Sequence, residues 1–205
     1  MTSPPTLLPC ASPVALLNRL LAQHKFPTTI VVCCSRQDFI DSLVSDARFN
    51  ADASARDTLL TKTSAQVSTS RHTRTVFAPT VSHLRAALTT LCPSETVKAP
   101  PNEDDNPAKE EPLLVVYGFV DVHRESAEWS AQGASTSAAA VVEAAARNGL
   151  RAAIVEPSPG SYDEVMPLLA GTMQRDDGGW NGRCVTVRTV LARWFTEERE
   201  APGSS

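Results

Sequence analysis

The chain has 205 residues, 42% of them hydrophobic, with a formal net charge of −4. That length allows one domain of ordinary size with a real core. The charge excludes a global basic field for nucleic acid and leaves open only a local basic surface. No run approaches the roughly 18–20 consecutive apolar residues of a membrane helix, so no membrane partner is expected.

The N-terminus, MTSPPTLLPCASP, lacks a basic n-region and has too short an apolar block for a secretory signal. Residues 1–11 hold three prolines and no period, and are expected to be disordered. Ser12 and Pro13 then give a cap followed by proline at the first helical turn. Val14, Leu17, Leu20, Leu21 and His24 lie on one helical stripe. The helix should end before Pro27. The β-branched run Thr28 to Cys34 predicts a strand. Ser35 can cap the next helix, in which Phe39, Ile40, Leu43 and Val44 should face inward.

Residues 50–71 lack a clear period and read as a loop, with a short helix at 55–60. A strand is expected over 73–78. Thr80 caps an amphipathic helix with Val81, Leu84, Leu88 and Leu91 at three- and four-residue spacing. Residues 93–112, PSETVKAPPNEDDNPAKEEP, form a solvated insert that cannot build a core.

Leu113 to Val116 is an unbroken apolar run, suited to a strand buried on both faces of a parallel sheet. A polar loop carrying Trp129 follows, then an Ala-rich helix over 135–148 closed by Gly149. A second apolar run, Ala152 to Val155, completes a βαβ unit. Ser158 to Gly182 is irregular, with a possible capping box at Ser161 and Glu164 and a kink at Pro167. Residues 183–196 alternate enough for a strand or hairpin, and the tail 197–205 reads as disordered. Strands alternating with helices predict an α/β fold: a mainly parallel central sheet with helices on both faces.

The five cysteines, Cys10, Cys33, Cys34, Cys92 and Cys184, include no CxxC pair. Cys33 and Cys34 are adjacent in a strand, so their side chains point to opposite faces. Buried free thiols in a reducing compartment are expected, and no zinc site. Asp121 and His123 would share a face in an extended segment. They can be read as a metal or acid–base pair, or as two polar residues at a strand end. No third ligand lies nearby. Ser35, Ser130 and Ser158 lack the GxSxG setting of a nucleophile.

Four segments, in this order, resemble the ATPase core of RecA-like recombinases and their small paralogues. They are TTIVVCCSRQDFIDSL, TRTVFAPTVSHLRAALTTL, LLVVYGFVDVHRESAEWSAQG and CVTVRTVLARWF. The resemblance covers about Thr28 to Phe195, the insert set aside, and implies a RecA-like three-layer fold. Two departures stand out. No GxxxxGK[ST] sequence exists, so triphosphate has no cradle of N–H groups and lysine. The chain seen this way begins at or just before the helix that would follow such a loop. Where the first strand of the unit would bring an acidic residue to Mg²⁺, this chain has Tyr117 and Gly118.

The resemblance therefore implies a non-catalytic subunit, with no cofactor, metal or catalytic residue. It points to accessory paralogues of homologous recombination, including the Shu-complex type. Such a protein would be a nuclear DNA-repair factor, partnered by other RecA-like or SWIM-type subunits in a heteromer and by single-stranded DNA. The alternative is a RecA-like subunit of the Elongator complex for transfer-RNA modification, which would be cytoplasmic. On the recombination reading, Arg124, Trp129, Arg175, Trp180 and Arg183 are the expected DNA or partner contacts. Trp129 and Trp180 could stack on bases or pack against core or partner. Their flanks include Glu125, Glu128, Asp176 and Asp177, which oppose phosphate. Arg188 and Arg193 could bind phosphate or lie along a core edge.

Overall fold

The apolar runs of this chain settle side by side into one sheet. The computed structural model describes residues 3–23, 27–49, 73–92, 111–169 and 182–198. The strands are β1 (Thr6–Leu7), β2 (Thr28–Val32), β3 (Thr73–Phe77), β4 (Leu113–Tyr117), β5 (Arg151–Val155), β6 (Val165–Pro167), β7 (Cys184–Thr186) and β8 (Thr196–Glu197). The helices are α1 (Pro13–Gln23), α2 (Arg36–Phe49), α3 (Val81–Thr90), α4 (Phe119–Arg124), α5 (Ala131–Arg147) and α6 (Val187–Leu191). A single 3₁₀ turn covers Ser161–Asp163.

Six strands pair in the order β3-β2-β4-β5-β1-β8, and every pairing is parallel. Parallel neighbours need crossover connections, and the helices that make them cover both faces. The result is a three-layer α/β fold. Strand β4 sits near the middle, with Val115 opposite Ile30 on one side and Ala153 on the other. Its side chains alternate between two cores. Leu114 and Val116 join Leu84 and Leu88 of α3 and Val141 of α5. Leu113, Val115 and Tyr117 join Leu16 and Leu20 of α1 and Phe39 of α2. All five residues of β4 are buried, which explains the unbroken apolar run. Each fully buried Leu or Val contributes about 1.5–3 kcal/mol.

The third layer is close-packed because α5 is made of small residues. Ala134, Ser137, Ala138, Ala144 and Ala145 are all buried. At Gly133 a Cβ would run into the backbone carbonyl of Glu128, so only glycine fits that approach. Thr80 caps α3 as the sequence predicts, its hydroxyl accepting from His83 N–H at 3.2 Å. Among the described residues, no helix is long and apolar enough to cross a membrane.

Several expectations are corrected. The N-terminal segment is not disordered from residue 3 onward, because Thr6 and Leu7 pair with both β5 and β8 and form part of the sheet. Glu197 and Glu198 also belong to the fold: Glu197 pairs with Arg188, and Glu198 with Arg19. Helix α2 packs through a narrower stripe than its pattern predicts. Phe39 is buried against Phe77 and Tyr117, whereas Ile40 and Val44 are exposed.

The segment after Gly118 is a helix rather than a loop, since Phe119, Val120, Val122 and His123 bury together. Glu164 is extended, so no capping box forms with Ser161. The run 183–196 is neither strand nor hairpin throughout. Thr186 caps a helix there, and Val187, Val190 and Leu191 bury at helical spacing. The cysteines are all free, but Cys92 and Cys184 are exposed rather than buried. The insert residues 93–110 and the proposed short helix at 55–60 lie outside the described residues.

Candidate functional site

In an open parallel sheet, loops and helix N-termini gather at the C-terminal ends of the strands. Here that edge holds an open cleft of about 750 Å³, bounded by Cys33, Cys34 and Ser35 after β2, Thr80 before α3, and Asp121, Val122, Arg124, Glu125 and Ser126 of α4 and its turn. Each helix leaving this edge points backbone N–H groups toward it. Such groups bind phosphate when nothing else satisfies them.

In this chain at least one such group at each of these helices is satisfied from within. Pro13, first in α1, has no N–H to offer. Val14 N–H donates to the buried Asp46 carboxylate of α2 at 3.0 Å, and Ala15 N–H donates to Ser12 Oγ at 3.3 Å. At α2, Asp38 N–H donates to Ser35 Oγ at 3.1 Å, and the Ser35 hydroxyl donates to the Asp38 carboxylate at 2.6 Å. Thr80 caps α3. At α4, Val120 N–H donates to Glu156 Oε1 at 2.9 Å. Gly118 begins that helix at φ 78°, a left-handed conformation that favours glycine.

The loop between β1 and α1 is equally committed. Leu8 N–H donates to the Ile154 carbonyl at 2.9 Å, and Ala11 N–H to the Glu156 carbonyl at 3.0 Å. The Tyr117 hydroxyl donates to the Ala11 carbonyl at 3.1 Å. Burial raises the Tyr117 pKa, and nearby carboxylates add to it. Tyr117, at the end of β4, thus bonds the loop that precedes α1.

Glu156 is fully buried, and its Oε2 has no hydrogen-bond partner among the described residues. Desolvation raises its pKa well above the ordinary value, against the opposing Val120 N–H bond. Burial therefore favours the neutral carboxylic acid over the carboxylate at this position.

Asp121 and His123 do not act together. Asp121 faces the cleft and pairs with Arg124. His123 turns inward, with Nδ1 at 2.7 Å from the Phe119 carbonyl and Nε2 at 2.9 Å from Ser137 Oγ. A carbonyl only accepts, so Nδ1 carries the proton and Nε2 accepts from Ser137. Arg85 Nε–H then donates to Ser137 Oγ at 3.0 Å. Burial lowers the His123 pKa to about 4. Among the described residues, no group of three His, Cys, Asp or Glu side chains could hold a metal ion.

Of the expected contact residues, Arg124 lies in the cleft. It donates to Glu164 Oε2 at 2.8 Å, bonds Glu164 Oε1 as well, and donates to Asp121 Oδ1 at 2.7 Å. The Glu164 bonds are the main reason its pKa is raised. Trp129 is half-buried and packs against the larger core. Arg183 is exposed and does not line the cleft; its carbonyl accepts from Leu168 N–H at 3.0 Å. Arg175 and Trp180 lie outside the described residues. Asp46 and Glu156 carried no mark in the sequence reading. The acid directly after the strand run at Val155 was the available sign of Glu156. Asp46 caps a helix 32 residues away, which no local pattern reveals.

No family model and no curated protein matches the sequence.

Proposed function

We propose that this chain is a non-catalytic, RecA-like subunit of a heteromeric complex. In this reading it supports recombinase filaments on single-stranded DNA as an accessory factor of homologous recombination. It acts through surfaces and binds no nucleotide. One observation carries the negative half: the helix N-termini along the cleft already end on the chain's own carboxyl and hydroxyl groups. A phosphate arriving at α1 would have to displace Asp46 from Val14 N–H. A phosphate entering the cleft at α2, α3 or α4 would meet Asp38, Asp121 and Glu125, all of like charge. The unpaired basic charge that phosphate needs is missing at Arg124, which two carboxylates already hold.

The recombination half is supported by the order of the four resembling segments: the first three each supply a strand of the six-stranded sheet and a helix after it, and the fourth supplies α6 and β7, which pairs antiparallel with β6 outside that sheet. Titration calorimetry with Mg-ATP tests the first half; no binding heat is expected, and low-micromolar binding overturns it. Purification from the native source tests the second. A recombinase or a SWIM-type protein should co-purify. Two RecA-like ring subunits of the Elongator type in its place would move the chain to that complex.

A further inference from the structure

We propose that the groove between α5, the β6–β7 pair and α6 receives an acidic amphipathic segment of a partner protein. The inference deepens the partner reading above and rests on it only in taking the chain to work within a complex. The groove lies away from the cleft and encloses about 600 Å³, within the roughly 300–1,000 Å³ of sites that accept ligand side chains. Its floor is α5, through Ala131, Ser135 and Ala139. These residues recur every fourth position, so they share one face and let a backbone approach closely. Leu168 and Trp194 form exposed apolar walls. The Trp194 indole N–H donates to Ser135 Oγ at 3.1 Å. Its ring is thereby held in place before any partner arrives, which lowers the entropy lost on binding.

Charge decides the occupant. Arg19, Arg85, Arg124, Arg147 and Arg188 each pair with a carboxylate of this chain. Arg193, on the groove wall, forms no ion pair among the described residues, and neither does exposed Arg183 beside Leu168. Unpaired cations beside a floor of small residues and apolar walls complement a segment that carries both an apolar anchor and carboxylates. A helix lying in a groove meets that demand with anchors on one face and acids beside them. A nucleic-acid strand fits worse, because the walls are largely aliphatic and the chain is net negative.

Random-peptide phage display on the full chain tests the proposal. Selection should enrich peptides that combine an aromatic or aliphatic anchor with Asp or Glu. A selected peptide, measured by fluorescence anisotropy, should bind Trp194→Ala and Leu168→Asp roughly tenfold or more weakly. Each variant is first checked for an unchanged melting profile. Arg193→Glu leaves the floor intact, so it should weaken the acidic peptide and strengthen a copy with its acids changed to lysine.

Failure to enrich groove-dependent peptides overturns the proposal, as do basic consensus peptides or equal binding to all three variants. Peptide capture that occurs only after residues 170–181 are replaced by a Gly/Ser linker makes the chain's own segment the occupant, and the proposal fails. Dimerisation that Trp194→Ala abolishes makes the occupant a second copy. Loss of oligo-dT binding in Arg193→Glu, with peptides unaffected, makes the groove a nucleic-acid surface. Native co-purification is scored separately, so a failed groove is distinguishable from a failed complex.

Discussion

Replacing Glu156 with Gln should remove a pH dependence from folding. The wild-type side chain is fully buried and caps α4 through Oε1, while Oε2 meets no partner among the described residues. Desolvation holds its folded pKa well above the ordinary 4.5. Between those two values the unfolded chain carries a carboxylate and the folded chain a carboxylic acid, so folding takes up one proton. The stability tied to this group is therefore complete below the unfolded pKa and is lost as pH rises through the folded one. The slope is about 1.4 kcal/mol per pH unit for one proton. Gln keeps an acceptor for Val120 N–H and binds no proton. Its amide leaves donors unpaired in the core, a constant cost of about 1–3 kcal/mol that does not vary with pH.

The stability difference, variant minus wild type, should thus climb by up to about 1.4 kcal/mol per unit above about pH 5 and level off at the folded pKa. Urea unfolding followed by tryptophan fluorescence across a pH series reads this directly. A difference that stays constant from about pH 5 to about pH 8 would refute a neutral, buried Glu156.

Gly133→Ala should cost about 1–3 kcal/mol, because the added Cβ meets the Glu128 carbonyl; an unchanged melting temperature would show that the loop before α5 can yield. His123 has a folded pKa lowered from 6.5 to about 4, so its contribution to stability is present above 6.5 and lost as pH falls toward 4. NMR of the imidazole nitrogens should find a neutral ring with the proton on Nδ1 at about pH 5.5, where an ordinary histidine is mostly charged; a ring titrating near its ordinary value sinks the assignment. Tyr117→Phe should cost about 1 kcal/mol by leaving the Ala11 carbonyl without its donor. It should not create Mg-ATP binding, since Asp46 still holds Val14 N–H, and calorimetry on the variant checks both points.

What the sequence revealed depended on how local the cause was. Strand β4 was legible because burial on both faces demands an unbroken apolar run. Helix α3 was legible because Thr80 and the spacing of Val81, Leu84 and Leu88 lie within one short window. Strand β1 was not, since two residues between prolines carry no period; its pairing with β5 and β8 fixes it. The segment after Tyr117 misled because FVDVHR fits a strand end as well as one helical turn, and burial of Phe119 and His123 against α5 settles the matter. At the cleft, Ser35 and Thr80 announce themselves as caps. Asp46 and Glu156 cap helices reached only through the tertiary fold, so their roles were hidden.

The capping pattern also bears on what a parallel sheet needs at the C-terminal edge of its strands. A parallel sheet cannot avoid aiming helix N-termini at one edge, and their N–H groups need partners whether or not phosphate is present. An enzyme core emptied of nucleotide would leave those donors to water and the positive helix ends uncompensated. This chain supplies acceptors from three directions: Asp46 from α2 at α1, Ser35 at the start of α2, and Glu156 from the end of β5 at α4. Tyr117 then bonds the loop before α1. Inserting a glycine-rich loop and lysine between β1 and α1 should therefore not create nucleotide binding, because Asp46 already holds Val14 N–H. The edge thus takes part in the fold's own stabilisation, and the groove beside Arg193 and Trp194 is the surface proposed for recognition.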